Sequence, residues 1–330
     1  MEGNLFIFNF SNMLTLLNNK FGKFFLRLFL ILLLIFIFDS LLGNLLRKFY
    51  FKQTSGFLYR TTYSIDSTNA DILIFGSSRA NHHYIPHVFE DSLKMTCYNT
   101  GRDGNFLLYN YALFKTITNR YTPKIVVFDI SPNEFYYKSY EYDRLSILLP
   151  YYKNHPEIRN ILYLRSPLEK YKLMSAIYPF NSNILSIAIG NTEINKKRNP
   201  DINGYVPLHG TLIDTILEKV KLSTLGLIDT NKINALNDII NTCNNNGILP
   251  VFIQSPLYQD FPPSNAYFSG IDSLAKTQND IFWSWLDDPH FLSAPHLFKD
   301  KFHLNENGAM LFSKTVVRKL KLLINNVKIE

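Results

Sequence analysis

From Asp71 to Ala80 the chain reads Asp-Ile-Leu-Ile-Phe-Gly-Ser-Ser-Arg-Ala. The short apolar run ends at a glycine and is bounded by turn-forming residues, as is typical of a buried parallel strand. Two serines follow, where a helix is predicted to begin. A serine at such a junction lies at the carboxyl end of a sheet, beside the free N–H groups of a helix start. Open α/β sheets bind ligands at this edge, although Gly-Ser-Ser also occurs in ordinary turns.

Predicted strands and helices alternate after this stretch, which favours an α/β fold with a parallel sheet covered on both faces. We predict strands over residues 71–75, 95–99, 124–129, 249–254 and 280–284. We predict helices over residues 85–93, 106–119, 231–245 and 307–325. The Asn-Gly pair that follows the third of these helices is a typical C-terminal stop signal.

Residues 135–210 interrupt this alternation. The segment is rich in tyrosine and is broken by Pro150, Pro156, Pro167 and Pro179, so we predict short helical pieces. An insertion of this length after a strand would lie over the carboxyl ends of the sheet as a cap. A helical layer that extends the core is the alternative, and the sequence does not separate the two.

Length and composition exclude several classes of protein. A chain of 330 residues is long enough for one large domain or two ordinary ones. Its net charge of +7 is scattered, apart from Lys196-Lys197-Arg198, so nothing indicates a nucleic acid partner. Cys97 and Cys243 fall in predicted regular elements, so buried free thiols are favoured over a disulfide framework.

Phe24–Leu46 is the one stretch long and apolar enough to cross a bilayer, which needs about 20 residues. Its Leu, Ile and Phe residues gain at most about 5–11 kcal/mol on insertion, whereas Arg27 and Asp39 cost about 5–7 kcal/mol together. Arg27 lies near one end, where its side chain can reach the interface, so insertion is favoured. A cleaved signal peptide is the alternative, but Arg47-Lys48-Phe49-Tyr50 follows where small residues would be needed.

The chain therefore divides into a tail, an anchor and one domain. We expect residues 1–23 to form a short tail, lying in the membrane interface, and residues 24–46 to form a transmembrane helix. Residues 51–330 form the remaining domain, which includes the insertion. Basic residues flank the anchor on both sides, so the positive-inside rule does not decide its orientation.

Polar clusters follow the predicted strands, and their residue types suit acyl transfer. A serine hydroxyl needs a base, which a histidine can supply near neutral pH, and a histidine base needs a carboxylate to fix its tautomer. Asp300 and His303 are three residues apart, so within a helical turn their side chains share a face. Backbone N–H groups of Ser78 and Gly104, with the amide of Asn133, could hold a developing oxyanion.

These clusters resemble the four blocks of the SGNH (GDSL-type) hydrolase superfamily. In chain order the matches are Gly76-Ser77-Ser78-Arg79, Asn99-x-Gly101-x-x-Gly104, Ser131-x-Asn133-Glu134 and Asp300-x-x-His303-Leu304-Asn305. The first has Ser77 where many members have aspartate, and the third has serine and glutamate where Gly-x-Asn-Asp is usual. Together they cover residues 71–315.

This resemblance implies a three-layer α/β/α sandwich with a flavodoxin-like parallel sheet. It implies that Ser78 is the nucleophile, with His303 and Asp300 completing the catalytic set. It also implies that Ser78, Gly104 and Asn133 supply the oxyanion donors, and it implies no cofactor.

The anchor and the Gly-Ser-Ser opening also resemble membrane-attached members that act on cell-envelope polymers, of the teichoic-acid D-alanylation and alginate acetylation types. That likeness implies a single-pass protein of the cytoplasmic membrane with its catalytic domain outside, and a membrane-bound acyltransferase as partner. We expect a serine-dependent esterase or acyltransferase that acts on acyl groups, above all O-acetyl, of a cell-surface glycan. The alternative is a non-catalytic envelope protein that binds a glycan or a partner protein.

Several of these residues also have purely structural interpretations. Asn133 could be a turn residue of Ser-Pro-Asn, and Asp300 could cap a helical turn beside an exposed His303. Arg79 could bind an anionic substrate or pair with a nearby carboxylate. Trp283 is typical of a core position, although it could line a glycan site.

The other histidines are weaker candidates. His82 and His83 resemble a metal pair, but adjacent side chains diverge in a helix and no ligand accompanies them at a suitable spacing. We therefore predict no metal site and a surface or rim position for both. His296 competes with His303 as the base but lacks a carboxylate three residues before it, which favours a loop histidine.

Overall fold

The computed structural model of the protein describes residues 20–192, 203–219, 226–261 and 281–327. Over these ranges the fold is mixed α/β, with one parallel sheet of five strands in the order β2-β1-β3-β4-β5. The strands are β1 (Ile72–Phe75), β2 (Cys97–Asn99), β3 (Ile125–Asp129), β4 (Leu249–Gln254) and β5 (Phe282–Ser284). Each strand falls within a range that the sequence predicted.

Twelve α-helices are described in these ranges. They are α1 (Lys20–Phe51), α2 (Gly56–Asp66), α3 (Ser78–His83), α4 (Pro86–Leu93), α5 (Leu107–Thr118), α6 (Ser139–Arg144), α7 (Arg159–Tyr163), α8 (Glu169–Lys172), α9 (Ile184–Gly190), α10 (Thr230–Asn246), α11 (Pro289–Leu292) and α12 (Glu306–Val327). Short 3₁₀ turns cover Leu145–Tyr151, Pro156–Ile158, Tyr178–Asn183 and Pro295–Leu297. The predicted stop of α10 is confirmed, because Gly247 takes a left-handed conformation there with φ of 67°.

Side chains of the strands alternate between two apolar clusters, one on each face of the sheet. Leu73 and Phe75 join one cluster together with residues of α5 and α10. Ile72 and Ile74 join the other together with residues of α3, α4 and α12. Because both faces are covered, the strands have apolar runs rather than an alternating pattern.

The insertion after β3 extends the first of these clusters in its described part. Leu145, Leu148 and Leu162 are fully buried there. Tyr151 stacks edge-on against Tyr50 near the end of α1, with ring centroids 5.9 Å apart. Of the two alternatives for the insertion, these contacts favour a helical layer that extends the core, and they do not favour a cap.

Helix α1 is the one described helix long and apolar enough to cross a membrane, with a mean hydropathy of 2.6 over its most apolar window. Its 32 residues span about 48 Å at 1.5 Å per residue, and they include the predicted anchor, 24–46. Every residue from Lys23 to Phe38 is exposed, whereas Leu46 and Tyr50 are buried against the rest of the chain. The predicted tail lies largely outside the described residues.

Cys97 and Cys243 are both buried free thiols, as the sequence predicted. Cys97 lies in β2, and Cys243 lies on the buried side of α10.

Candidate active site

The turn between β1 and α3 requires a glycine. Gly76 has a φ of 151°, and a Cβ atom on it would lie 2.8 Å from Cβ of Ala80 and 2.9 Å from the carbonyl oxygen of Asp129. Only glycine fits so close an approach without a shift of the backbone. The tight turn brings Ser78 to the first position of α3, at the carboxyl edge of the sheet.

Ser78, His303 and Asp300 form a continuous hydrogen-bonded chain, in the order that the family resemblance implied. Oγ of Ser78 lies 2.7 Å from Nε2 of His303. Nδ1 of the same ring lies 2.9 and 3.0 Å from the two carboxylate oxygens of Asp300. With a proton on Nδ1, the ring donates to Asp300 and leaves Nε2 free to accept the serine hydroxyl.

Asp300 also holds the turn in which it lies. Its Oδ1 accepts the backbone N–H groups of Phe302 at 2.8 Å and His303 at 2.9 Å. Partial burial alone would raise the pKa of Asp300, but hydrogen bonds and the charge of His303 lower it below its usual value. The carboxylate is therefore ionised at neutral pH and faces the ring directly.

The residues after His303 begin the closing helix. Oδ1 of Asn305 accepts the N–H groups of Asn307 and Gly308, each at 3.1 Å, at the start of α12. Its amide nitrogen donates to the carbonyl oxygens of His296 and Gly210. Asn305 thus ties the segment that carries His303 to two neighbouring loops.

His83 supports the same segment and is wholly buried. Its Nε2 accepts the N–H of Leu304 at 2.9 Å, and its Nδ1 lies 3.0 Å from Oγ of Ser255. Burial, followed by the charges of His303, Arg79 and His82, places the pKa of His83 well below its usual value, so the ring is neutral.

The predicted surface or rim position for His82 and His83 is wrong, because both side chains are buried. Nδ1 of His82 lies 2.7 Å from the carbonyl oxygen of Val206, while His83 points to Leu304 and Ser255. The two adjacent rings diverge, as expected for neighbours in a helix. Sequence reasoning missed their role because a polar pair at the end of a short helix carries no sign of burial.

The loop after β3 is held by a buried glutamate. Oε1 of Glu134 accepts the N–H of Leu107, the first residue of α5, at 2.6 Å. Its Oε2 lies 3.4 Å from the N–H of Ser131. The family that the sequence resembles usually has aspartate at this position. The longer side chain of Glu134 connects the loop to α5.

A fully buried lysine holds the same loop from the other side. Nζ of Lys232 donates to the carbonyl oxygens of Glu134 at 2.7 Å and Tyr136 at 2.9 Å, and it pairs with Glu141. Burial, ahead of repulsion by Glu134, raises the pKa of Glu141 to about 6. Sequence reasoning missed Lys232, because a lysine in an amphipathic helix normally indicates an exposed position.

Of the three predicted oxyanion donors, the structure brings Ser78 and Asn133 together in one cavity. Oδ1 of Asn133 is buried and has no hydrogen-bond partner among the described residues. Gly104 is not part of the described lining. It has a φ of 67°, and a Cβ atom on it would lie 3.5 Å from Cζ of Arg144, whose guanidinium covers this turn.

Arg79 pairs with a carboxylate, which was one of its two interpretations. Its Nη2 lies 2.9 Å from Oδ1 of Asp129 and 3.3 Å from Oγ of Ser131. The hydroxyl of Tyr84 donates to the other oxygen of Asp129 at 2.6 Å. Burial raises the pKa of Asp129 in spite of Arg79, and the pair leaves little free charge for a substrate anion.

Trp283 lies in the core, which was the first of its two interpretations, and not at the glycan site that was the second. Its ring is buried in the second cluster, 6.0 Å from the ring of Trp285, and Nζ of Lys319 lies 4.7 Å above it. Trp283 is not part of the described cavity lining. The physical reason is the pleat of β5, which turns this side chain toward α12.

The cavity beside Ser78 measures about 360 Å³. Polar and apolar side chains share its lining, which consists of Ser77, Ser78, Arg79, Ser131, Pro132, Asn133, Lys138, Leu257, Gln259, Phe261, Phe302 and His303. From the described part of the insertion only Lys138 reaches it. His296 is exposed and lies outside this lining, whereas His303 lies within it.

Comparison of the chain with family models and with curated proteins found no match in either case.

Proposed function

We propose that the protein is a serine-dependent esterase or acyltransferase of the SGNH type, acting on acyl groups of a cell-surface glycan. The observation that carries the proposal is the chain from Asp300 through His303 to Ser78, with distances of 2.9 and 2.7 Å. A hydroxyl, an imidazole and a carboxylate in this order are the parts that acyl transfer through a covalent serine requires.

The reaction would proceed in two halves. In the first, Oγ of Ser78 attacks the carbonyl carbon of the ester while Nε2 of His303 takes the hydroxyl proton. Asp300 stabilises the imidazolium, and the N–H of Ser78 with the amide of Asn133 would hold the oxyanion. The intermediate then collapses, and the leaving alkoxide takes the proton from His303. Ser78 is left as an acyl ester.

In the second half, water or an acceptor hydroxyl loses its proton to His303 and attacks the acyl carbon. Ser78 leaves with that proton, so the enzyme returns to its starting state. If water accepts the acyl group the protein is an esterase, and if another hydroxyl accepts it the protein is an acyltransferase.

The lining of the cavity is suited to a substrate in which a small acyl group is attached to a polar carrier. Leu257, Phe261 and Phe302 offer apolar contact for a short acyl chain, whereas Gln259 and Lys138 offer hydrogen bonds to hydroxyl groups. An O-acetyl group on a glycan combines these two characters. The glycan itself is proposed from the resemblance to members that act on envelope polymers.

The finer fold assignment belongs to the same proposal. Strand order β2-β1-β3-β4-β5 is that of flavodoxin-like sheets, and helices contribute to the apolar clusters on both faces. Both observations support a three-layer α/β/α sandwich. We propose that α1 anchors this domain outside the cytoplasmic membrane, where a membrane-bound acyltransferase would be its partner.

A fluorophosphonate probe, which labels activated serines, tests the chemistry on the full chain in detergent. We expect labelling of the unchanged protein and of Ser77→Ala, and none of Ser78→Ala. If the folded, unchanged protein is not labelled, the catalytic proposal fails. The non-catalytic alternative, a protein that binds a glycan or a partner, would then replace it.

A further inference from the structure

Large apolar side chains are exposed on the insertion, next to α1. Met174 is 81% exposed and Leu185 is 73% exposed. The exposed members of this group are Leu168, Tyr171, Met174, Ile184, Leu185 and Ile189. Leu168 and Met174 flank α8 and the other four lie in α8 or α9, and we call the six residues the insertion's apolar edge.

A carboxylate within α1 fixes this segment to the helix. Oδ1 of Asp39 accepts the hydroxyl of Ser175 at 2.5 Å, and its Oδ2 accepts the N–H of Ala176 at 2.6 Å. The backbones meet closely one turn later, because a Cβ atom on Gly43 would lie 2.4 Å from the carbonyl carbon of Ala176. Farther along, the amide of Asn191 donates to the carbonyl oxygen of Phe49 at 3.0 Å.

These contacts give the depth of the segment relative to the apolar part of α1. A bilayer core of about 30 Å takes about 20 helical residues, and the 20 residues that end at Asp39 begin at Lys20, the first described residue of the helix. Lys23 and Arg27 lie toward that other end. The unbroken exposed run of α1 ends at Phe38, inside the predicted anchor of 24–46, so Asp39 marks the level at which the domain begins to cover α1. Met174 directly precedes Ser175, whose hydroxyl Asp39 accepts.

The charges near this edge are complementary to a lipid surface. Lys170 and Lys172 are exposed in α8, between Leu168 and Met174. The nearby acidic residue, Glu169, is buried and already pairs with Arg165 and Lys172. Apolar side chains with adjacent lysines and a tyrosine are typical of segments that lie in a membrane interface.

We propose that Leu168–Ile189 lies in the interface of the bilayer that α1 spans, with Met174 and Leu185 in contact with lipid. The domain would then contact the membrane at two places, and its tilt would be restricted. This surface does not depend on the chemistry at Ser78. Its occupant is lipid, because the edge continues the exposed surface of α1 at the level where that surface meets the domain.

The test uses single cysteines at Met174→Cys and Leu185→Cys, each labelled with a polarity-sensitive fluorophore. The full chain is reconstituted in vesicles of phosphatidylcholine and phosphatidylglycerol that carry nitroxide lipids at a shallow or a deep position. The native thiols are buried, and the unsubstituted chain reports any background labelling. Phe36→Cys in α1 is the control for insertion, and Leu322→Cys, 64% exposed on α12, is the control for a water-exposed apolar position.

We expect the labels at 174 and 185 to be quenched more by shallow than by deep nitroxides, since interfacial segments lie about 5–10 Å into the headgroup boundary. The label at 36 should show the reverse order, and the label at 322 should show no quenching. The proposal is wrong if labels at 174 and 185 behave as the label at 322 while position 36 is quenched. A partner protein or a second copy on this edge would give that result. It is also wrong if position 36 is not quenched, because α1 would then not carry the segment to a bilayer.

Discussion

Nε2 of His83 accepts the backbone N–H of Leu304 at 2.9 Å, directly after the histidine that contacts Ser78. Because this nitrogen accepts, the proton lies on Nδ1, which donates to Oγ of Ser255 just beyond β4. One buried ring therefore connects the segment of His303 to the carboxyl end of the sheet. His83 is not part of the described cavity lining, so we expect it to act on the proposed reaction through the position of His303.

Replacing His83 by phenylalanine should lower kcat more than it changes KM. Phenylalanine fills the space of the imidazole ring, but the buried N–H of Leu304 loses its acceptor. The unsatisfied N–H lowers the free energy of unfolding by about 1–3 kcal/mol. We expect a lower melting temperature and a His303 that is held less accurately. His83→Gln, whose amide offers an acceptor and a donor, should restore part of kcat. Steady-state kinetics with a small acetyl ester measure this, and an unchanged kcat in folded His83→Phe would contradict it.

The stability of the protein should fall on acidification because of the same ring. Burial holds the pKa of His83 well below its usual value, whereas an unfolded histidine takes up a proton near pH 6.5. The contribution of His83 is therefore fully present above about pH 6.5 and is lost as the pH falls below it. Urea unfolding of the unchanged protein and His83→Phe between pH 5 and 8 measures the difference. We expect a weaker dependence in the variant, and equal slopes would rule the prediction out.

Ser78→Ala should abolish hydrolysis of a small acetyl ester, whereas Ser77→Ala should retain a measurable rate. Loss of the serine from such a set lowers kcat on the order of 10⁶-fold. Both serines line the cavity, but the hydrogen bond to His303 is made by Ser78. Initial rates of the two purified variants test this directly. The opposite result would mean that the nucleophile is one residue earlier.

Asn133→Ala should lower kcat by roughly 10²–10³-fold and leave the fold intact. Asn133 and Ser78 both line the cavity, and Oδ1 of Asn133 accepts no hydrogen bond from the described residues. Single-turnover rates of acylation measure the loss, and circular dichroism checks the fold. An unchanged rate would make Asn133 a turn residue and leave the oxyanion to backbone donors.

Strand ends were predictable because each buried run of apolar residues stops at a turn-forming residue. In a parallel sheet those ends meet at one edge, and the resemblance to the four-block family is what paired Ser78 with His303. The contact between Asp300 and His303 was predicted from a helical turn, whereas residues 300–303 form a bend closed by an antiparallel bridge between Phe298 and Leu304. Arg79 was left between two roles, because only the fold brings Asp129 within 2.9 Å of its guanidinium.

The supporting groups could not be predicted, because their partners are distant in sequence. Lys232 holds a loop about a hundred residues before it, and His83 binds the N–H of Leu304 more than two hundred residues later. Gly104 fits the spacing of its motif, but the side chain of Arg144, which belongs to the insertion, covers the turn of Gly104. The sequence had no signal for how the insertion packs. Trp283 could not be assigned to a face until the pleat of β5 was known.

The side of the membrane on which the domain lies can be tested with a reporter fused after Glu330. A reporter that is active only outside the cytoplasm should give signal in intact cells if α1 is an anchor with the domain outside. The same fusion without residues 20–51 is the control and should give none. Signal only from a reporter that requires the cytoplasm would contradict both the orientation and the envelope glycan as substrate.

Asp300 has two roles in the structure, and a pair of substitutions separates them. Its Oδ1 accepts backbone N–H groups of its own turn, and both carboxylate oxygens face Nδ1 of His303. Asp300→Ala removes both roles, and the lost cap alone costs about 0.5–2 kcal/mol of stability. Asp300→Asn keeps an acceptor for the turn, because asparagine caps as well as aspartate does.

If Asp300 acts in catalysis, Asp300→Asn should keep its stability and still lose most of kcat, because an amide can neither fix the reactive tautomer nor stabilise the imidazolium. If Asp300 is only a cap, this variant should retain full activity. His303→Ala should remove activity, and adding Asp300→Ala should make it little worse, since residues that act as one unit are not additive. Acylation rates and urea unfolding of the four variants measure both effects. Additive losses in the double variant would mean that Asp300 and His303 contribute independently.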